Sequence, residues 1–213
     1  MKNVIFIAPP AAGKGTQSMK LVEIGYTHIT TGSMLREEIN KNTSVGLKIK
    51  NTIDKGLLVN DEIVLNLITN KIKTINQPFV LDGFPRTYNQ AVLLDKLFED
   101  LKINNYEVIY LDIEFDKAVK RALGRLTCKC GATYNIYYDN LTPKLENICD
   151  KCGAKLKKRS DDNESSIKIR FDTFIKNNEP IKKFYEQKNK LHIIDIKLDS
   201  NEITDRIKDI LKW

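Results

Sequence analysis

Val4-Ile5-Phe6-Ile7-Ala8-Pro9-Pro10-Ala11-Ala12-Gly13-Lys14-Gly15-Thr16 decides how the rest of the chain is read. Val4–Ile7 is a short run of large apolar side chains ended by turn residues, which reads as a buried strand. A helical pattern follows from Gln17. Strand, tight loop, lysine, small hydroxyl and helix, in that order, are the parts of a phosphate-binding P-loop. The loop turns backbone N–H groups inward, and the helix N-terminus adds positive partial charge. Lys14 brings a full charge to the phosphates, and Thr16 offers its hydroxyl to a phosphate or to magnesium. The strict motif has glycine where Ala8 and Ala11 stand, because glycine tolerates positive φ and close backbone approach. Ala11 held at positive φ would store about 1 kcal/mol, which the loop should survive.

At 213 residues, with 41% hydrophobic and 30% charged side chains, the chain suits one α/β domain with inserted subdomains. The net charge of +7 raises the question of nucleic acid or a membrane surface as partner. The lysines are scattered, however, and the one dense basic run is Lys155 to Arg159, so a solvated surface explains most of them. No apolar stretch approaches the roughly 18 residues of a membrane span. Met1-Lys2-Asn3 runs straight into the first strand, which leaves no room for a leader. The expected location is the cytoplasm, where thiols stay reduced.

Five apolar runs read as strands: Val4–Ile7, Tyr26–Ile29, Phe79–Leu81, Val108–Ile113 and His192–Ile196. Helical patterns separate them, and alternating β and α units imply a five-stranded parallel sheet with helices on both faces. Two excursions lack a strand of that sheet. One, about residues 31–60, holds a helix starting at Ser33, a good N-cap residue, and another ending at Gly56. The other, about residues 126–162, is rich in Gly, Asn, Asp, Thr and Tyr and reads as short hairpins. All four cysteines lie there, as Cys128-Lys129-Cys130-Gly131 and Cys149-Asp150-Lys151-Cys152-Gly153. Two knuckles, each followed by glycine, form a zinc-ribbon signature, and four thiolates suit tetrahedral zinc. The first knuckle is Cys-x-Cys instead of Cys-x-x-Cys. Free thiols and a disulfide stay open as alternatives. The excursion is too short to bury a core of its own, so a metal clip is physically sensible.

Further pieces complete a pattern. Thr30-Thr31-Gly32-Ser33-Met34-Leu35-Arg36 and Asp82-Gly83-Phe84-Pro85-Arg86 each follow an apolar run. Arg121 and Arg125 close a helical stretch, and Arg159-Ser160-Asp161-Asp162-Asn163-Glu164 and Arg170 follow the cysteines. In this order and spacing the chain resembles adenylate kinase, in the bacterial form with a long cysteine-bearing lid, over essentially its whole length. The arginines agree. Lysines number 28 and arginines 7, yet six of the seven (Arg36, Arg86, Arg121, Arg125, Arg159, Arg170) fall where the family holds phosphates or nucleotide. A guanidinium grips phosphate oxygens in pairs and stays charged, which lysine does not match.

The resemblance implies a P-loop nucleoside monophosphate kinase fold. The core would be residues 1–30, 61–125 and 163–213, with an AMP-binding arm at 31–60 and a lid at 126–162. The implied reaction is the reversible transfer of the terminal phosphate of ATP to AMP. Lys14, Arg86, Arg125, Arg159 and Arg170 are the expected catalytic residues. Ala11, Ala12, Gly13, Lys14, Gly15, Thr16, Arg121, Arg125, Thr133, Tyr134 and Leu198 are expected at the ATP. Thr31, Arg36, Leu57, Leu58, Val59, Gly83, Phe84, Pro85, Arg86, Gln90, Arg159 and Arg170 are expected at the AMP. Asp82 would order the waters of magnesium, and Cys128, Cys130, Cys149 and Cys152 would hold a structural zinc. Gln90 lies four residues after Arg86; its amide both donates and accepts, which suits an adenine edge and favours AMP over UMP or CMP. His28 and His192 sit in strand-like runs and read as packing residues. Asp161 and Asp162 read equally as solvated lid charges or as a hinge pair holding arginines. The expected partners are ATP and AMP, without nucleic acid or membrane, and the expected state is a monomer. Two rivals remain: a relative with GTP as donor or a pyrimidine monophosphate as acceptor, and a zinc-ribbon protein that binds nucleic acid.

Overall fold

Strand β1 (Asn3–Ile7) is the middle strand of a five-stranded parallel sheet in the computed structural model, which describes residues 1–54, 59–138, 141–159, 162–196 and 200–212. Its side chains alternate between two buried layers: Ile5 and Ile7 enter one apolar cluster, Val4 and Phe6 the other. A parallel strand covered on both faces has no polar side, which is why it reads as an unbroken apolar run. The other strands are β2 (Thr27–Thr30), β3 (Phe79–Asp82), β4 (Tyr106–Asp112) and β7 (Leu191–Asp195), in the order β2-β3-β1-β4-β7. β4 repeats the alternation, with Val108 and Tyr110 in the first cluster and Ile109 and Leu111 in the second.

Helices close both faces. On one side lie Val64, Ile68 and Ile72 of α4 (Asp61–Ile72), Ala91, Leu94 and Phe98 of α5 (Tyr88–Asp100), and Ile181 and Tyr185 of α7 (Glu164–Gln187). On the other lie Leu21 of α1 (Lys14–Val22), Ala118 of α6 (Phe115–Leu123), and Ile203, Ile207 and Leu211 of α8 (Ser200–Leu211). These apolar faces recur at the helical spacing, so burying them against the sheet sets the layers.

The excursion at 31–60 forms α2 (Thr31–Asn40) and α3 (Ser44–Asp54), and its expected helix end at Gly56 lies outside the described residues. α2 starts before Ser33: Thr30 is the N-cap, accepting the Ser33 N–H at 3.1 Å. α1 likewise starts at Lys14 instead of Gln17, and several strand limits move by one or two residues; Tyr26 is buried in the turn before β2. The second excursion adds no strand to the large sheet among the described residues. It forms the antiparallel pair β5 (Arg125–Thr127) and β6 (Thr133–Asn135), with bridges Thr127–Lys157 and Ile148–Lys155. Contrary to expectation it buries a small cluster of its own, Leu126, Cys128, Ala132, Tyr134, Cys149 and Leu156. Two of those six are cysteines, so the cluster still leans on sulfur chemistry.

Candidate active site

The C-terminal ends of β1 and β3 open on one side of the sheet, where the chain delivers its loops. After β1, Ala11 takes φ 59° and Gly13 φ 94°, so the alanine adopts the left-handed backbone that the strict motif reserves for glycine. Gly13 is the N-cap of α1, no side chain caps it, and the first turn carries no acidic residue. Among the described residues no acidic side chain of the first turn competes with an anion for the N–H groups at this helix start. The Lys14 ammonium folds back over the loop and donates to the carbonyls of Ala8 (2.6 Å) and Pro9 (3.1 Å). Burial pulls Lys14 down to about 8; Asp82 opposes this, and Arg86, Arg170 and Arg125 add to it. Phosphates brought to the loop relieve that crowding of positive charge.

Asp82 ends β3. Burial would raise its carboxyl, but His28, Lys14 and Arg86 together hold it below the usual carboxylate range. His28, read from sequence as packing, faces this carboxylate at 3.8 Å, while His192 pairs with Glu107 at 2.8 Å on β4. An ionised oxygen donor at a strand end, close enough to Lys14 at the start of α1 to act on it, suits magnesium, which prefers oxygen and keeps waters.

The turn after Asp82 is tightly built. Gly83 has φ 92°, and a Cβ there would lie 2.5 Å from the Thr31 hydroxyl. Thr31 is buried and donates to the Gly83 carbonyl at 3.2 Å; Arg86 Nε donates to the same oxygen at 2.8 Å. Phe84-Pro85 is a cis peptide, with both residues buried. The Gln90 side chain is buried; it accepts the Arg86 backbone N–H at 2.6 Å and donates to Asp61 at 2.7 Å. Arg36 is exposed on α2, against Ser33 at 3.4 Å, and Val59 is buried beside α4.

On the far side of the loop, Arg121 lies beside Gly13 and 5.7 Å from the Tyr138 ring. Asn135 accounts for that placement: it donates to the Arg121 carbonyl at 2.7 Å and accepts the Tyr137 N–H at 3.0 Å. Arg125 grips Asp162 with two nitrogens, Nε to Oδ2 at 2.8 Å and Nη2 to Oδ1. Asp162 therefore holds an arginine, and Asp161 lies outside the described residues, as do Leu57, Leu58 and Leu198. Arg125 and Arg170 are close enough to act on Lys14; Arg159 gives its carbonyl to the Asp162 N–H at 3.2 Å. Thr133 is half-buried on β6. The Tyr134 side chain, expected over the donor nucleotide, is buried in the small cluster with Cys128 and Cys149, its hydroxyl on Cys149 (3.5 Å) and the Asp150 N–H (2.7 Å).

The four cysteine sulfurs all lie within 4.8 Å of one another, Cys128 to Cys152 at 3.4 Å and Cys130 to Cys149 at 3.6 Å. A tetrahedral zinc with sulfur ligands about 2.3 Å away needs sulfurs about 3.8 Å apart, so the quartet fits despite the short first knuckle. The Tyr134 hydroxyl, followed by the N–H groups of Cys152 and Lys151, draws the Cys149 thiol down to about 6 despite desolvation.

Sequence reasoning missed Asn135, Asp61 and the buried Gln17, which joins Thr204 and Ser200 to tie α1 to α8. Each acts through a partner at least 14 positions away, so no local signal marks it.

The adenylate kinase family model matches residues 6–190. The chain is 38% identical over 216 residues to the adenylate kinase of Methanocella arvoryzae, covering 100% of this chain and 99% of that one. It is 39% identical over 213 residues to the adenylate kinase of Bacillus licheniformis, covering 98% and 97%. It is 39% identical over 214 residues to the adenylate kinase of Archaeoglobus fulgidus, covering 99% and 98%. Full-length similarity and a P-loop site with converging arginines lead to one conclusion: the chain belongs to the adenylate kinase family.

Proposed function

We propose that the cations gathered around Lys14 carry out the family reaction, ATP + AMP = 2 ADP, by direct transfer. The observation that carries this is the convergence of Lys14, Arg86, Arg125 and Arg170 on a site with two nearby carboxylates, Asp82 and the Arg125 partner Asp162. So much positive charge in one place is costly unless phosphates arrive to offset it. An AMP phosphate oxygen attacks the terminal phosphorus of ATP as the bond from that phosphorus to the β-phosphate oxygen breaks. The nucleophile is already ionised, so no general base is needed. Catalysis rests on alignment and on charge stabilisation of the oxygens.

In this reading Lys14 and the amides of Ala11 to Gly15 hold the donor phosphates. Arg86 and Arg36 hold the AMP phosphate, and Arg125, Arg159 and Arg170 close on the transferring group. Magnesium, which adenylate kinases use with ATP, supplies charge neutralisation at the donor oxygens; Asp82, through water, and Thr16 are the residues suited to hold it. Arg121 meets the donor base, and Thr133 covers the donor nucleotide. Thr31, Val59 and the Gly83-Phe84-Pro85 turn line the acceptor site, and Gln90 reads its base. Residues 1–30, 61–125 and 163–213 act as the core, 31–60 as the acceptor arm and 126–162 as the lid. Cys128, Cys130, Cys149 and Cys152 hold a structural zinc, whose four protein ligands leave no position for catalysis.

A substrate panel tests the reading. ATP with AMP should turn over at least about fivefold faster than ATP with UMP or CMP, or GTP with AMP, since one lost base contact is worth about 1–3 kcal/mol. Equal rates with a pyrimidine monophosphate would overturn the acceptor assignment.

A further inference from the structure

Gln90 is held at both ends by partners that leave its amide no choice of direction. The Arg86 backbone N–H only donates, so the atom 2.6 Å from it is the oxygen. The Asp61 carboxylate accepts, so the atom 2.7 Å from its Oδ1 is the nitrogen. Rotating the amide by half a turn would set N–H against N–H and oxygen against carboxylate. Asp61 is itself fixed: it is the first residue of α4, after the Asn60 cap, and its Oδ2 accepts from Asn89 at 2.9 Å. Gln90 is buried, so this orientation is not averaged away by solvent. One N–H and one oxygen lone pair of the amide remain for a ligand.

We infer that Asp61 is a specificity-determining positioning residue, which locks the Gln90 amide so that the site takes a 6-aminopurine and rejects a 6-oxopurine. This rests on the reading that Gln90 meets the acceptor base. Adenine presents an amino donor beside a ring-nitrogen acceptor. Hypoxanthine presents a carbonyl acceptor beside an N–H donor, the reverse order. A freely turning amide would serve both bases equally; a locked one serves one of them. Asp61 starts α4, and both of its carboxylate oxygens are engaged by side chains of α5, Gln90 and Asn89.

The test uses steady-state kinetics on the full chain with AMP and with inosine monophosphate. Asp61→Ala should raise the KM for AMP about tenfold and cut the preference for AMP over inosine monophosphate about tenfold, with the KM for ATP and kcat within about twofold. Asp61→Asn keeps an oxygen acceptor but can face Gln90 in either sense, which leaves the Arg86 N–H as the one remaining lock. It should hold the KM for AMP within about twofold while the preference still falls about threefold. In a Gln90→Ala background, Asp61→Ala should add nothing further to the KM for AMP. Equal rises in both substrate KM values, or full additivity with Gln90→Ala, would make Asp61 a structural residue only. Gln90→Ala without effect on AMP would remove the base-contact reading itself. Gln90→Ala harmful with Asp61→Ala neutral would remove the role of Asp61 alone. If Asp61→Ala does not fold, Asp61→Asn decides: an unchanged preference overturns the proposal.

Discussion

Removing Asp162 should cost far more than an ordinary ion pair. Its side chain is 2% exposed and that of Arg125 is 15% exposed, and the two meet through two hydrogen bonds across 37 residues. The pair joins the start of β5 to the residue before the α7 cap, Asn163. Asp162→Ala leaves the Arg125 guanidinium without its carboxylate in a site already holding Lys14, Arg86 and Arg170. Breaking a buried pair costs about 3–5 kcal/mol, and because Arg125 keeps some solvent the low end, about 3 kcal/mol, is expected. Arg125→Ala combined with Asp162→Ala leaves no orphaned charge, so the double variant should be less damaged than the sum by about 2 kcal/mol. Urea unfolding monitored by circular dichroism measures both, provided the slope stays constant. In kinetics, Asp162→Ala should lower kcat about tenfold, because a loosened Arg125 loses its alignment. A loss below about 1 kcal/mol with a coupling under about 0.5 kcal/mol would place the pair with exposed ion pairs and refute the reasoning.

Ala11→Gly should stabilise the protein: relief of positive φ at 59° is worth about 1–2 kcal/mol, less about 0.5–1 kcal/mol for the freer unfolded chain, and a fall in the urea midpoint would contradict it. Glu107 is buried, which would raise its pKa, but Lys2 and His192 hold it below the usual range. Its contribution is present above the unfolded carboxylate pKa and lost as pH falls through the lower folded value, so Glu107→Gln should flatten the acid limb of a melting-temperature profile. An unchanged limb would show that the cluster does not titrate on unfolding. Protein purified under reducing conditions should carry about one equivalent of zinc, and chelation should lower the melting temperature, since metal binding and lid folding share one free energy. Less than about a tenth of an equivalent would mean a lid held without metal.

The sheet was legible because its strands are buried on both faces: Val4–Ile7 and Val108–Ile113 carry no polar interruption except Tyr110 and Asp112. The P-loop was legible because phosphate binding needs local residues in a fixed order. Helix starts were less so. α1 begins inside Lys14-Gly15-Thr16, which has poor helix propensity and forms a turn only because the loop delivers it. At α2, Thr30 and Ser33 are both good caps, and only the backbone decides between them. Arg86, Arg125 and Arg170, which act on Lys14, stand in an order that could be read along the chain, whereas most of the side chains that hold the site together could not. Asn135 and Asp61 owe their roles to contacts spanning 14 and 29 residues, which composition and spacing do not encode; for Asp162 the sequence offers two readings, and its contact with Arg125 across 37 residues selects the arginine-holding one. Tyr134 shows the same limit: its hydroxyl turns to Cys149, 15 residues on.

The most direct measurement is the nucleotide balance of the purified protein given ATP, AMP and magnesium. The account predicts two ADP formed for each ATP consumed, with Lys14→Ala folded but slowed by at least about a thousandfold, the scale of losing a charged clamp on the transferring group. ATP consumed without matching loss of AMP, or a folded Lys14→Ala variant with near-normal turnover, would contradict it.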